Sequence, residues 1–355
     1  MIINNNSDFL FAFEANMSNP NGDPDQENKP RMDYETKTAL VSDARRKRDC
    51  RNFFKAKGMP IFVDTLREQK VTMEKMLEHY RNQWLTDDQK MMALFDENAE
   101  LKELWEKLSK KSKKTTYLDV YQDKDFQKDK KEFGLFNNLF ITQLIQKELI
   151  DIRLFGSAMA VDNVSRTFTG PVQITWGYSM HPVDLVKSNT ISSIMNEDNS
   201  TFGKKHKLHY GLFMHSGTIN KLSARLTGMT EQDRELFRAS LVQGMLMNQT
   251  DSKQGQTPLF YLEIQYTPSF DGFLGDLRRF LKVGCNEQQP IRSFSDLSLD
   301  DSELVEAVQY MKQAGYIDRV VGWFHPVLKV SNILRVDIDQ MVDLWAPVEL
   351  AGIDR

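Results

Sequence analysis

The apolar positions fall into two patterns that divide the chain. Phe9-Leu-Phe-Ala-Phe-Glu-Ala15 is a short aromatic-rich run that predicts a strand, and it runs into Asn19-Pro-Asn-Gly-Asp-Pro24, where proline and glycine enforce a loop. A basic helix over about residues 38–57 follows and stops at Gly58-Met-Pro60. From about residue 64 to residue 150, leucines, methionines and aromatics recur at helical spacing amid dense Lys and Glu, which predicts a helical insertion. Residues 167–178 and 210–220 return to strand character. The polar stretch between them, with Lys204-Lys-His-Lys207, predicts a long hairpin or flap. Thr230-Glu-Gln-Asp233 fits a capping box that opens a helix to about Asn248, with Leu236, Phe237, Leu241 and Met245 on one stripe, and residues 259–266 close the set as a strand. Without the insertion and the flap the order is β-α-β-β-α-β, the split βαβ order of ferredoxin-like and RRM-type domains, so the expected fold class is α+β. Past Gly272, a helix over residues 302–314 and a strand near residues 319–323 are expected to pack on that core as a tail.

A chain of 355 residues is long enough for two domains, or one enlarged by insertions. At 40% hydrophobic and 27% charged residues, the composition excludes a disordered, collagenous or disulfide-scaffold protein. No apolar run approaches the roughly 18 residues needed to cross a bilayer, so no membrane association is expected. The start MIINNNSDFL has no basic region ahead of an apolar one, and only Cys50 and Cys285 occur, which together predict a cytoplasmic protein with reduced thiols. A net charge of −4 argues against a protein that coats nucleic acid indiscriminately. Residues 37–57, however, carry eight Lys or Arg against two Asp, a local net of +6 that leaves −10 elsewhere. Such asymmetry focuses an anion onto one face.

Within that helix, Lys47 and Arg51 share one face, with Ser42 and Arg45 near a second, so several cations and a hydroxyl are placed to track a phosphate chain. The competing reading is a solvated face. Against it, Asp43 and Asp49 leave five cations within residues 45–51 that repel one another without a partner. Asn19-Pro-Asn-Gly-Asp-Pro-Asp25 has the oxygen ligands of a calcium loop but the wrong spacing, and its prolines break the required backbone, so it reads as a turn. His206, His209 and His215 have neither a Cys pair nor an HExxH motif to complete a zinc site. No G-x-S-x-G, Walker A or G-x-G-x-x-G sequence follows any strand, and no residue is nominated as catalytic. Asp151-Ile-Arg-Leu-Phe-Gly156 and Gly170-Pro-Val-Gln173 set glycine beside an apolar element, where a backbone or ligand can approach closely. Ser252-Lys-Gln-Gly255 is a cationic turn just before a strand.

In order and spacing, NPNGDPDQENKPR (19–31), LVSDARRKRDCR (40–51), DIRLFG (151–156), GPVQ (170–173), YGLFMHSGTIN (210–220) and SKQGQ (252–256) resemble the crRNA-binding backbone subunit of type I CRISPR Cascade complexes, most closely its subtype I-B and I-C forms. The resemblance covers most of the first 270 residues. It implies an RRM-like palm (1–62, 151–179 and 211–270), a helical fingers insertion (63–150), a β-hairpin thumb (180–210) and a C-terminal tail (271–355) packed on the palm. It further implies a non-catalytic subunit without metal or cofactor that oligomerises along guide RNA in antiviral interference. The implied partners are crRNA, further copies of itself, other Cascade subunits, target DNA through the guide, and a recruited helicase-nuclease.

Carried over by position, Ser42, Arg45, Lys47, Arg48 and Arg51 grip guide phosphates, with Asn21 and Gly22 of the Asn-Pro-Asn-Gly loop beside them. Gly170, Pro171, Val172 and Gln173 lie beneath the RNA, Phe155 and Gly156 shape the palm near the thumb base, and Ser252, Lys253, Gln254 and Gly255 form a further contact loop. Two positions depart from the family pattern: Arg45 and Arg46 stand where an uncharged residue is usual, and Asp251 where an Arg is common. The aromatic sheet residues of many RRMs are not recognisable, so base stacking on the sheet is not expected. Two rival readings come from other classes. One is a target-RNA endonuclease like the type III backbone subunits, with Asp162 or Asp184 as the loop aspartate. The other is a ferredoxin-like protein-interaction module that meets no nucleic acid.

Overall fold

A computed structural model of the 355-residue chain describes residues 1–66, 69–161, 164–187, 190–192, 202–286, 288–326, 328 and 334–348. The fold is α+β, built as two compact units. The sheet unit holds Ile3–Phe53, Val172–Lys221 and the chain from Arg234 onward; the helical unit holds Met1–Ile2, Phe54–Pro171 and Leu222–Asp233.

In the sheet unit the strand Ser7–Ser18 is central, hydrogen-bonded antiparallel to Leu208–Ile219 on one side and to Gln256–Tyr266 on the other. Val172–Ile174 and Gly177–Ser179 pair antiparallel with Leu208–Ile219, and Thr38–Val41 extends that edge. Beyond Gln256–Tyr266 lies antiparallel Ile317–Phe324, edged by the short parallel strand Gln340–Met341.

Both faces of this sheet are buried. Leu10 and Ala12 point to one face and pack with Met214, Phe260 and Leu262 under Leu277, Leu281, Leu304 and Val308 of the C-terminal region. Phe9, Phe11 and Phe13 point to the other, fully buried. There Phe9 meets Phe237 edge-on at 5.3 Å, and Phe13 stacks on Phe213 at 5.1 Å. A strand buried on both sides has no polar face to show, which is why residues 9–13 read as a continuous apolar run. Each such ring contributes roughly 1.5–3 kcal/mol by leaving water. The second face is covered by the basic helix Asp43–Ala56 and the helix Glu231–Met247, which touch backbone to backbone: a Cβ on Gly244 would lie 2.7 Å from the Asp49 carbonyl oxygen.

Two buried acids are set among these layers. Glu263 is fully enclosed; burial alone would raise its pKa, but the neighbouring Arg238 and Arg234 guanidiniums pull it down to about 2. Its carboxylate accepts from Arg238 Nε and from the Tyr261 hydroxyl, both at 2.7 Å. Asp8 is equally buried, but among the described residues no cation pairs with it. Its Oδ2 accepts from the Leu274 amide (2.7 Å), the Gly275 amide (3.1 Å) and the Tyr266 hydroxyl (2.5 Å), while burial pushes its pKa up to about 6.

The helical unit runs through Met73–Leu85, Asp88–Glu97, Ala99–Ser109, Tyr117–Gln122, Lys130–Glu148 and Ile150–Phe155. Thr72, Asp87, Asn98, Thr116 and Asp129 each cap the helix that follows with a side-chain oxygen. These polar residues just before apolar-periodic runs fix where the helices start. Trp105, Tyr121, Phe126, Phe136 and Phe140 form the aromatic centre of its core. The buried Asp151 accepts from the Phe62 and Val63 amides at 2.8 and 3.1 Å and pins the entry of this unit. Gly156–Val161 and Val164–Thr169 then form a hairpin belonging to the same unit, so the helical unit extends past the expected 63–150. Within it, the Thr230 hydroxyl accepts from the Asp233 amide while Asp233 Oδ2 accepts from the Thr230 amide, the capping box expected at Thr230.

Three expectations are corrected. The basic helix begins at Asp43 rather than near residue 38, because Thr38–Val41 joins the sheet edge and Ser42 caps the helix instead. Residues 167–178 do not form one strand. Gly170-Pro171 interrupts them, proline lacking the amide a continuous ladder needs, and they divide among Val164–Thr169, Val172–Ile174 and Gly177–Ser179. Nor are the cations of residues 45–51 partnerless: Asp49 and Asp43 serve as their partners from inside the run. Of the expected hairpin over 180–210, Thr190–Ser192 pairs antiparallel with Phe202–Lys204; residues 188–189 and 193–201 lie outside the described ones, as does Asp162.

Candidate functional site

Asn21 joins the first loop to the start of the basic helix. Its Oδ1 accepts from the Ser42 amide at 2.9 Å and the Ser42 hydroxyl at 3.0 Å, and that hydroxyl accepts from the Arg45 amide at 3.3 Å. These bonds brace the loop against the helix, and Asn21 and Gly22 also line the adjacent cleft. On the other side, the Asn19 amide donates to the Ser252 carbonyl at 2.6 Å and the Asn16 amide to the Gly255 carbonyl at 2.8 Å, which ties the 251–255 turn to the end of the first strand. Only glycine suits position 255: φ is +97°, and a Cβ would stand 2.2 Å from the Asn16 carbonyl oxygen.

Between these braced loops lies a cleft of about 470 Å³. Arg45, Lys204, Lys205 and Lys253 line it together with amide and hydroxyl groups, among them Asn19, Asn28 and Ser252, and no carboxylate is among its described lining residues. Lys253 is half-buried, and its ammonium is disfavoured first by burial and then by the nearby Arg45 charge. Arg45 is itself disfavoured by burial and by Arg46 and Arg48, although Asp49 beside it opposes this. Two cations under mutual repulsion in a partly desolvated recess form a site whose energy falls when an anion enters. The exposed pairs Lys204–Glu27 (3.2 Å) and Lys205–Asp251 (2.7 Å) are solvent-screened and contribute little to stability, so an anion can replace their carboxylates.

The remaining helix cations differ in their settings. Arg46 is buried 4.8 Å above the Phe13 ring and 3.3 Å from Asp49, so it holds the helix onto the sheet rather than facing a ligand. Asp49 also holds Arg45 at 2.6 Å, and Lys47 lies 2.9 Å from Asp43. Lys47, the exposed Arg48 and Arg51 sit on the same helix outside the cleft walls. Of the turn residues, Ser252 and Lys253 reach the cleft while Gln254 and Gly255 shape its backbone.

A second group gathers in the helical unit. Gly156 has φ of +73°, and a Cβ there would lie 2.1 Å from the Phe168 carbonyl oxygen; a Cβ on Gly170 would lie 2.1 Å from the Phe155 carbonyl carbon. The two glycines let Phe155-Gly156 and Gly170 cross at backbone contact. Pro171 belongs to this unit, whereas Val172 and Gln173 belong to the sheet unit, where Gln173 pairs with Thr218. Asp184, the candidate loop aspartate, is 3.6 Å from Arg292. Among the described residues there is no group of three or more His, Cys, Asp or Glu able to hold a metal ion, and no helix long and apolar enough to cross a membrane.

Sequence reasoning missed Asn19, Asn28, Lys204, Lys205, His206 and Thr250 as cleft residues. The Lys204-Lys-His-Lys207 run was the available signal, but its lysines read as part of a polar flap.

The family model for CRISPR-associated protein Cas7 matches residues 5–301. A CRISPR-associated protein Cas7 from Haloferax volcanii is 25% identical over 361 residues, spanning 99% of this chain and 95% of that protein. Among solved structures, a chain of a CRISPR RNA-guided surveillance complex in a pre-nicking state aligns at TM-score 0.45 and 14% identity, covering 95% of this chain and 96% of its own. A chain of another CRISPR RNA-guided surveillance complex aligns at TM-score 0.41 and 12% identity, with the same two coverages. With a match over most of its length, this chain belongs to the Cas7 family of CRISPR-associated proteins.

Proposed function

We propose that this Cas7-family chain is a non-catalytic backbone subunit of a CRISPR interference complex, which binds guide RNA by its sugar-phosphate chain and leaves the bases free to pair with target DNA. The observation that carries this reading is the cleft, where Arg45, Lys204, Lys205 and Lys253 converge with amide and hydroxyl groups and no carboxylate is among the described lining residues. Cations that meet phosphates give affinity independent of sequence, as a carrier of arbitrary guides requires. The amides and hydroxyls suit ribose and phosphate oxygens. An RRM-like palm is supported by the order of the four main strands, Gln256–Tyr266, Ser7–Ser18, Leu208–Ile219 and Val172–Ile174, all antiparallel neighbours. The Thr190–Ser192 and Phe202–Lys204 ribbon is the root of a thumb that ends in the cleft lysines. With both sheet faces buried, the base-stacking surface of other RRMs is not available, and recognition falls to the loops.

Filter binding of the purified chain to a crRNA-length oligoribonucleotide across a salt series tests this. Four phosphate contacts predict a log–log slope of about −3 for single-stranded RNA. A flat salt response, or protein that leaves cells without co-purifying RNA, refutes the proposal.

A further inference from the structure

Among the described residues, four that are not glycine have a positive φ: Met17 (+46°), Glu27 (+53°), Asn28 (+58°) and Lys37 (+55°). Three of them gather at the cationic cleft. Asn28 lines it, Glu27 pairs with its Lys204 at 3.2 Å, and Met17 stands two residues before Asn19 of its wall. Asparagine tolerates the left-handed region because its short polar side chain bonds locally, whereas an apolar side chain has no such compensation. Nor does burial offset the strain at residue 17, since Met17 is 46% exposed.

The backbone on either side of Met17 is held. Asn16 pairs with Tyr210 and Ser18 with Leu208 in the sheet ladder. The Asn16 and Asn19 amides donate to the Gly255 and Ser252 carbonyls at 2.8 and 2.6 Å. Residue 17 therefore cannot relax without disturbing the turn that carries Ser252 and Lys253 to the cleft. Its left-handed conformation also breaks the alternation of a strand: Asn16 and Met17 are both exposed, and Ser18 is buried. Strain that the surroundings over-determine, at an exposed residue beside a charged recess, points to a ligand contact.

We propose that Met17 supplies the apolar contact of this site, its thioether lying against the face of one guide nucleobase while the neighbouring cations hold the phosphates. The inference rests on the guide-RNA reading of the cleft and adds a contact for the base to it. A phosphate chain alone has no apolar surface to offer a thioether, but a nucleobase carried on that chain does. Sulfur against an aromatic face is indifferent to base identity, because every base has a π face. Contact through the face also leaves the pairing edge of that base free.

The test compares the full chain with Met17→Gly and Met17→Asn, two residues at ease with positive φ. Fluorescence anisotropy with a labelled 30-nucleotide oligoribonucleotide, from 50 to 400 mM KCl, should show each variant about 3- to 10-fold weaker. The salt slope should stay that of the wild type, because no phosphate contact is lost. Affinity for inorganic polyphosphate, which has phosphates and no bases, should not change, and the melting temperature should stay level or rise. Met17→Leu, which keeps the apolar surface, should remain within about twofold of wild type. Unchanged oligoribonucleotide affinity in both Met17→Gly and Met17→Asn overturns the inference. So does an equal loss for polyphosphate, which would make Met17 a support for the turn. A wild-type chain whose oligoribonucleotide binding ignores salt overturns the guide-RNA reading itself, and the inference with it.

Discussion

Lys253→Gln removes one charge from the cleft without shortening the side chain much, and its consequences can be worked from the geometry. Lys253 lines the cleft half-buried, and the nearby Arg45 charge works against its ammonium. A charge-assisted hydrogen bond to phosphate contributes about 1.5–3 kcal/mol. The repulsion from Arg45 that disappears with the charge offsets part of this, leaving a net loss of about 1–2 kcal/mol, or about 5- to 30-fold in affinity. The salt slope should fall by about 0.7, one counterion-releasing contact on a single strand. Because the amide no longer holds a desolvated charge against Arg45, thermal stability should stay level or rise. Fluorescence anisotropy with a labelled oligoribonucleotide from 50 to 400 mM KCl measures the first two effects, and differential scanning fluorimetry the third. Unaltered affinity and slope would show that the cleft does not hold phosphate, and a lower melting temperature alongside weaker binding would make Lys253 a structural residue instead.

Gly156→Ala should destabilise the protein by about 2–4 kcal/mol, from a left-handed backbone at φ +73° and a Cβ set 2.1 Å from the Phe168 carbonyl; a melting temperature within a degree of wild type would refute the backbone crossing. Asp8 has a folded pKa of about 6, above its ordinary 3.8, so the folded state binds the extra proton and stability falls as pH rises from about 4 to about 6, levelling beyond. Asp8→Asn should flatten that dependence, whose ceiling is about 3 kcal/mol, and urea titrations at pH 4, 5, 6 and 7 would expose a curve that keeps its slope. Glu263 has the opposite sign. Its folded pKa of about 2 lies below the ordinary 4.5, so its contribution is present above about 4.5 and disappears as pH falls through about 2. Arg238→Met strands that carboxylate in the interior and should cost about 3–5 kcal/mol, a loss that a chevron or denaturant midpoint would register; near-neutral stability would contradict the pairing.

What could be read from the sequence was whatever depends on local chemistry. The aromatic run at 9–13, the Thr230 capping box and the helical periodicity of residues 64–150 each carry their signal within a few residues, and each element formed. Element boundaries depended on competition that one segment does not display. Thr38–Val41 went to the sheet because a free edge at Gly177–Ser179 was there to pair with it. The basic helix was located, but its charge arithmetic misled: counting cations treats all as solvent-facing, whereas Arg46 is buried over the Phe13 ring and shares Asp49 with Arg45. Cleft residues such as Lys204 and Thr250 come from segments about 50 residues apart and more than 150 from the loop they face, and no local pattern reports such convergence. Asn21 and Ser42 were picked out for contact with a ligand; Asn21 lines the cleft, and its bond to the Ser42 hydroxyl joins that loop to the helix start beside Arg45.

With the sheet buried on both sides, the proposed guide strand meets the sheet unit at its rim, where the described cleft offers four cations. Under the proposed function, tight retention of a long strand calls for avidity: each copy seated on the strand would raise the effective concentration of the next segment at the next copy, so weak grips would multiply. A rim site also leaves the slab untouched when the loops around residues 19–28, 204–206 and 250–253 vary. Residence time on the strand can therefore be tuned by loop substitutions without endangering the core.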